Sequence, residues 1–141
     1  MMDFAESFFY WSTDKCHSWN GPFAVPMLGR TGVAARTDYI VLGPQSCLMM
    51  LTANKADGKE GHVMAVKTAD GGKTWRLACH LGAEPEVGFQ IMPASVKLPS
   101  GSILTATRST GPAVIAMADG ATGGGGNSRA SRNDSEFSKI I

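Results

Sequence analysis

Arg36, Asp38, Asp57, Glu60 and Arg108 are the side chains through which this 141-residue sequence could do chemistry. Carboxylates donate and accept protons. Guanidinium groups hold anionic oxygens through paired hydrogen bonds. Asp57 and Glu60 share the polar loop Asn54-Lys55-Ala56-Asp57-Gly58-Lys59-Glu60-Gly61, and Arg36 and Asp38 stand in Ala35-Arg36-Thr37-Asp38-Tyr39. The three histidines, His17, His62 and His80, are scattered and give no metal site; His62 opens a strand-like run. Cys16, Cys47 and Cys79 also lack metal-ligand spacing. Their odd number leaves at least one unpaired within the chain, and buried free thiols are expected. No cofactor is implied.

Such side chains act together only if the elements between them bring them to one place. Strand-like runs lie at about 7–12, 23–26, 38–43, 46–53, 62–68, 74–80, 91–98 and 102–108, and no convincing amphipathic helix is found. Asn20-Gly21-Pro22 and Pro26 break regularity on either side of the second run. Thr68-Ala69-Asp70-Gly71-Gly72-Lys73-Thr74-Trp75 reads as a tight turn between two strands. Asp70 can accept backbone N–H groups downstream, Gly71 and Gly72 supply positive φ, and Trp75 returns an apolar side chain to the core.

The turn has a second copy. Ser12-Thr13-Asp14-Lys15-Cys16-His17-Ser18-Trp19 keeps the Ser/Thr, Asp, Ser/Thr and Trp positions, with Cys16 at the place of Gly72. The offset is 70 − 14 = 56 residues, and it persists outside the turns. Ile40-Val41-Leu42 falls on Val96-Lys97-Leu98, Cys47-Leu48-Met49-Met50 on Ile103-Leu104-Thr105-Ala106, and Phe8-Phe9-Tyr10 on Met64-Ala65-Val66.

Four strands per repeat, joined by tight turns, form a propeller blade. The expected fold is all-β, a fragment of a β-propeller of about two blades with antiparallel four-stranded sheets. Residues 1–26 end one blade, 27–37 connect, 38–80 are a complete blade and 81–110 begin the next. A third turn expected near residue 126 is absent. Residues 119–135 are mostly glycine, serine, arginine and asparagine with almost no apolar residue, so 111–141 read as a disordered tail outside the propeller. A truncated or frame-shifted reading is favoured over a natural tail, because the repeat stops in mid-blade. Two blades cannot close a ring, and open strand edges invite association. In this plan the two turns lie on the face opposite Arg36, Asp38, Asp57, Glu60, Gln90 and Arg108.

A formal charge of +1 points to no nucleic-acid or acidic-membrane partner. Seventeen glycines suit many turns. The longest strongly apolar run, Cys47 to Leu51, is far too short to span a bilayer. The N-terminus has no basic region followed by an apolar one, so no signal peptide is read and localisation stays open.

The stretch 68–75 resembles the Asp-box (BNR) repeat of sialidases, Ser/Thr-x-Asp-x-Gly-x-Thr-Trp, at all five specified positions: Thr68, Asp70, Gly72, Thr74 and Trp75. Ser12, Asp14 and Trp19 match in the first copy. The resemblance covers about residues 7–110 and implies a six-bladed propeller in which the boxes are structural. It implies a glycoside hydrolase of the exo-α-sialidase type, acting on terminal sialic acid or a related acidic sugar of a glycan. Arg36 resembles the arginine that opens a sialidase blade and grips the substrate carboxylate, although Thr37-Asp38 replaces the family's Ile-Pro. Arg108 is the second such arginine. Asp57 matches the position of the acid/base aspartate, with Glu60 and Asp38 as alternates. The family's tyrosine nucleophile and its glutamate are not placed; Tyr10 and Tyr39 are expected to be packed in strands. The bland roles are an inter-blade ion pair for Arg36 and a plain turn for Asp57. The chain alone is expected to be inactive. The alternative is a non-catalytic Asp-box propeller that binds carbohydrate or protein.

Overall fold

The computed structural model describes residues 6–110, with Arg36 and Thr37 as backbone only, and the backbone of residues 114–118. Every assigned element is a β-strand: β1 (Phe8–Trp11), β2 (Asn20–Ala24), β3 (Val33–Gly43), β4 (Ser46–Asn54), β5 (Glu60–Thr68), β6 (Arg76–His80), β7 (Gln90–Lys97), β8 (Ile103–Ser109) and β9 (Val114–Ala118). They form three antiparallel sheets, ordered β1-β2, β3-β4-β5-β6 and β7-β8-β9. The all-β reading holds.

Three boundaries differ from expectation. β2 begins at Asn20, because Asn20 pairs with Trp11 across the Gly21-Pro22 step instead of leaving the strand. β3 begins at Val33, inside the expected connecting loop, because Val33 and Ala34 pair with Ala53 and Thr52. Its register then slips between Ala34 and Asp38, so an irregularity surrounds Arg36 and pairing resumes at Asp38. β9 lies where the tail was expected and pairs with β8 from Thr107 to Ile103. The rest of that expected tail lies outside the described residues.

The 56-residue repeat is present in the pairing itself. Phe8↔Ala24 and Phe9↔Phe23 in the first sheet correspond to Met64↔His80 and Ala65↔Cys79 in the second. Asp38↔Met50, Tyr39↔Met49 and Ile40↔Leu48 correspond to Ala94↔Ala106, Ser95↔Thr105 and Val96↔Leu104 in the third. The slip around Arg36 also recurs, between Ile91 and Ala94, where Met92 takes a φ of 52°.

The core lies on both faces of the middle sheet. Successive strand residues point to opposite faces, and here both sets are apolar. Leu48, Met50, Val63 and Ala65 gather with Leu81 and with Ile103 of the third sheet. Leu51, Ala53, Met64 and Val66 gather with Val33 of β3 and with Val25 and Phe9 of the first sheet's side. Met50, Leu51, Val63, Met64 and Val66 are at most 1% exposed. Burying each such side chain contributes about 1.5–3 kcal/mol. The sheets therefore stack in chain order with the middle one enclosed.

The two box turns fold alike. Thr68 Oγ1 donates to Asp70 Oδ1 at 2.8 Å and accepts Gly72 N–H at 2.9 Å, while Asp70 accepts Thr74 N–H at 3.0 Å and the Thr74 hydroxyl at 2.5 Å. Ser12, Asp14, Cys16 and Ser18 repeat all four bonds at 2.8, 2.9, 2.9 and 2.6 Å. Gly71 and Gly72 have φ of 75° and 88°, and Lys15 and Cys16 follow them at 57° and 69°. Side chains in that region cost roughly 1–2 kcal/mol each, so the hydrogen bonds hold the first turn against its own residues. Trp75 donates its indole N–H to Gly72 O at 3.1 Å and stands edge-on to Phe9 with ring centres 5.6 Å apart. Trp19 does not enter the core and is 58% exposed. The expected buried thiols are corrected too: Cys16 is exposed on its turn, and Cys47 and Cys79 are half-buried; all three are free. Tyr10 and Tyr39, expected to be packed, are exposed.

Candidate functional site

The box turns join β1 to β2 and β5 to β6. In antiparallel sheets, the β4–β5 loop (55–59) and the β6–β7 loop (81–89) must lie at the other end. The β4–β5 loop is a tight turn: Lys55 N–H donates to Lys59 O at 2.7 Å and Gly58 N–H to Lys55 O at 3.0 Å. Gly58 takes a φ of 78°. Asp57 fixes the turn from within, accepting Lys59 N–H at 2.9 Å on Oδ1 and the Lys55 ammonium at 3.1 Å on Oδ2. The Lys59 N–H bond, followed by the Lys55 contacts, holds the Asp57 carboxyl below its usual range. Lys55 is buried, and its ammonium also donates to Pro85 O at 3.4 Å, tying this loop to the next.

Between the two loops is a cleft of about 470 Å³, with Lys55, Asp57, Lys59 and Glu60 on one side and Glu86 and Phe89 on the other. Phe89 is seated by Gly61, where a Cβ would come within 2.7 Å of the Phe89 Cβ. It is clamped to the end of β8: Phe89 N–H donates to Thr110 Oγ1 and Thr110 N–H to Phe89 O, both at 3.1 Å. The Arg108 guanidinium lies 5.9 Å from the Phe89 ring centre. Gln90 starts β7 by donating to Leu81 O at 2.8 Å and accepting Val63 N–H at 3.3 Å, which fixes the third sheet against the second.

The structure thus gathers Asp57, Glu60 and, through Phe89, Arg108 at one end. Glu60 opens β5 opposite Asn54 and is half-buried. Asp38 stands elsewhere, within β3, where Oδ1 accepts Tyr39 N–H at 2.8 Å and Oδ2 accepts Ser95 N–H of β7. It joins two sheets. Arg36 belongs to β3, but its side chain lies outside the described residues. Ser12, Asp14, Thr68, Asp70, Gly72, Thr74 and Trp75 all take part in hydrogen bonds of the two turns.

One group escaped the sequence reading. Arg30, His62, His80 and Glu84 converge beside the same loops. The His62 and His80 rings stack at 4.6 Å. Arg30 donates to His80 Nε2 at 3.1 Å and to Glu84 at 3.4 Å, and His62 Nδ1 lies 3.3 Å from Glu84. Glu84 also accepts Ala56 N–H at 2.7 Å, the main cause of its lowered pKa. Burial, then the neighbouring His62 and Arg30 charges, push the His80 pKa down. With Nε2 accepting from Arg30, the ring proton resides on Nδ1, which has no partner among the described residues. The signal was the hairpin itself, since strands folded back at Asp70 bring residues 62 and 80 to one end. Among the described residues no group of three or more His, Cys, Asp or Glu could hold a metal ion. No described helix is long and apolar enough to cross a membrane.

Compared with protein-family models, curated proteins and solved structures, the chain matches none.

Proposed function

We propose that this chain is part of a sialidase-type Asp-box propeller whose cleft end, between the β4–β5 and β6–β7 loops, receives an acidic sugar. The observation that carries this reading is the doubled box turn, with the same hydrogen bonds at Asp14 and Asp70 and the same strand register 56 residues apart. The cleft at the opposite end supplies cations and carboxylates together. Arg108, with Arg36, takes the sugar carboxylate, since a guanidinium fork matches two oxygens. Lys59 adds positive charge at the rim. Glu60 is the favoured proton donor. Asp57 is less suited, because its bonds to Lys59 N–H and Lys55 stabilise the ionised form, whereas a general acid needs its proton near neutral pH. Asp38 serves the seam between sheets. The tyrosine nucleophile is assigned to no residue of this chain, so sugar binding without turnover is expected.

Isothermal titration of the chain with N-acetylneuraminic acid and with neutral N-acetylglucosamine tests this. The acidic sugar should bind and the neutral one should not, and Arg108→Ala should weaken binding about tenfold, about 1.4 kcal/mol. Equal behaviour of the two sugars would reject the reading.

The committed state of Asp57 also favours a second reading, a non-catalytic propeller that binds glycan or protein. The two part in a longer protein carrying this segment. There, Glu60→Gln should abolish hydrolysis while sparing affinity under the first reading. Under the second there is no hydrolysis to lose.

A further inference from the structure

The middle sheet is covered on both faces, and the repeat shows which residues do the covering. Toward the first sheet it presents Met64, Val66 and Trp75, which pack with Val25 and Phe9. Toward the third it presents Ile40, Leu48 and Met50, which pack with Ile103. Moved by 56 residues, Met64, Val66 and Trp75 become Phe8, Tyr10 and Trp19 of the first sheet. These are exposed by 51%, 53% and 58%. Moved the other way, Ile40, Leu48 and Met50 become Val96, Leu104 and Ala106 of the third sheet. Val96 is 52% exposed, Ala106 is exposed and Leu104 is half-buried. Their strand neighbours Thr105 and Thr107 point the other way and are buried.

The two outer faces of the stack are therefore unlike each other. One carries the set with which a sheet meets the sheet before it, and the other the set with which a sheet meets the sheet after it. We propose that copies of this chain associate head to tail, the outer face of β7-β8 in one copy seating on the outer face of β1-β2 in the next. The contact repeats the one already made between the middle sheet and its neighbours. Exposed aromatic clusters of this kind mark interaction surfaces. Because the two patches differ, the interface is heterologous and can add further copies, in contrast to a two-fold dimer. The inference rests on sheet stacking and needs no sugar, so its test is independent of the glycan reading.

Sedimentation velocity over a hundredfold range of protein concentration tests it on the full chain. The unmodified chain should sediment faster as concentration rises. Val96→Glu and Phe8→Glu, each on an exposed position, should stay monomeric at concentrations at least tenfold higher, with unchanged far-ultraviolet circular dichroism. An equimolar mixture of the two variants should form a one-to-one dimer, since each keeps the face the other has lost. A monomeric unmodified chain, or a mixture that stays monomeric while both variants are folded, overturns the proposal. If Phe8→Glu fails to fold, Trp19→Glu takes its place in the mixture with the same two outcomes.

Discussion

Asp14 and Asp70 are separated by 56 residues and accept the same two hydrogen bonds, from the backbone N–H and hydroxyl of the residue four positions on. In each, the hydroxyl bond of Ser18 or Thr74 is the largest cause of a carboxyl pKa lowered to about 2. Both groups have folded-state values below the unfolded value of about 3.9. Their contribution is present above the unfolded value and is lost as pH falls from there toward 2. Asp70→Ala and Asp14→Ala should each lower Tm at pH 7, and each variant should lose less than the parent on going from pH 5 to pH 2. The loss should be greater for Asp70, whose turn carries Trp75 into contact with Phe9. A Tm unchanged in Asp70→Ala would contradict the structural role of the box.

A second pH window belongs to His80. Its folded pKa lies below the ordinary value, so the unfolded chain binds the proton more readily. Stability should be level above about pH 6.5 and fall as pH drops below that. His80→Leu, which keeps bulk against His62 but cannot be protonated, should flatten this window and leave the window below pH 4 in place. Urea melts at pH 7.5, 6.0 and 5.0 read both effects.

The enclosed middle sheet predicts an unequal response to truncation. Met64 is fully buried, so Met64→Ala should cost about 2–5 kcal/mol in urea unfolding. Val96 lies on an outer face, so in the monomer Val96→Ala should change stability by no more than about 0.5 kcal/mol. Similar costs at the two positions would argue against one sheet packed on both sides.

Much of this arrangement was legible in the sequence, and particular residues show why. Asp70, Gly71 and Gly72 specify a turn by local chemistry, and the 56-residue offset in the sequence carries the register that relates Phe8 to Met64. Local rules failed where tertiary pairing decided. Gly21-Pro22 reads as a breaker, yet β1 pairs across it. Residues 33–35 read as loop, yet Ala53 and Thr52 hold Val33 and Ala34 in the sheet. The exposure of Trp19 was also invisible, because whether a tryptophan is covered depends on the sheet beside it. At the candidate site, Asp57 and Glu60 were found by their loop, but the roles within it were not. Lys55 contributes through a buried ammonium bonded to Asp57 and Pro85, a contact between two loops that spacing does not encode. The Arg30, His62, His80 and Glu84 group likewise draws on three separate segments.

Gly61 offers a direct handle on the cleft. It takes a φ of 141°, and an added Cβ would collide with the Cα and Cβ of Phe89. Gly61→Ala should displace the 86–89 loop, lower Tm and weaken acidic-sugar binding, whereas Gly101→Ala, at a φ of 88° with open space around it, should lower Tm alone.

The central claim is that the cleft end, and not the box end, receives an acidic sugar. Amide chemical shifts of the ¹⁵N-labelled chain, followed during titration with N-acetylneuraminic acid, test it residue by residue. The account predicts saturable shifts at residues 55–60, 86–90 and 108, with residues 12–19 and 68–75 unmoved. Shifts centred on the two box turns, or no shifts at millimolar sugar, would contradict it.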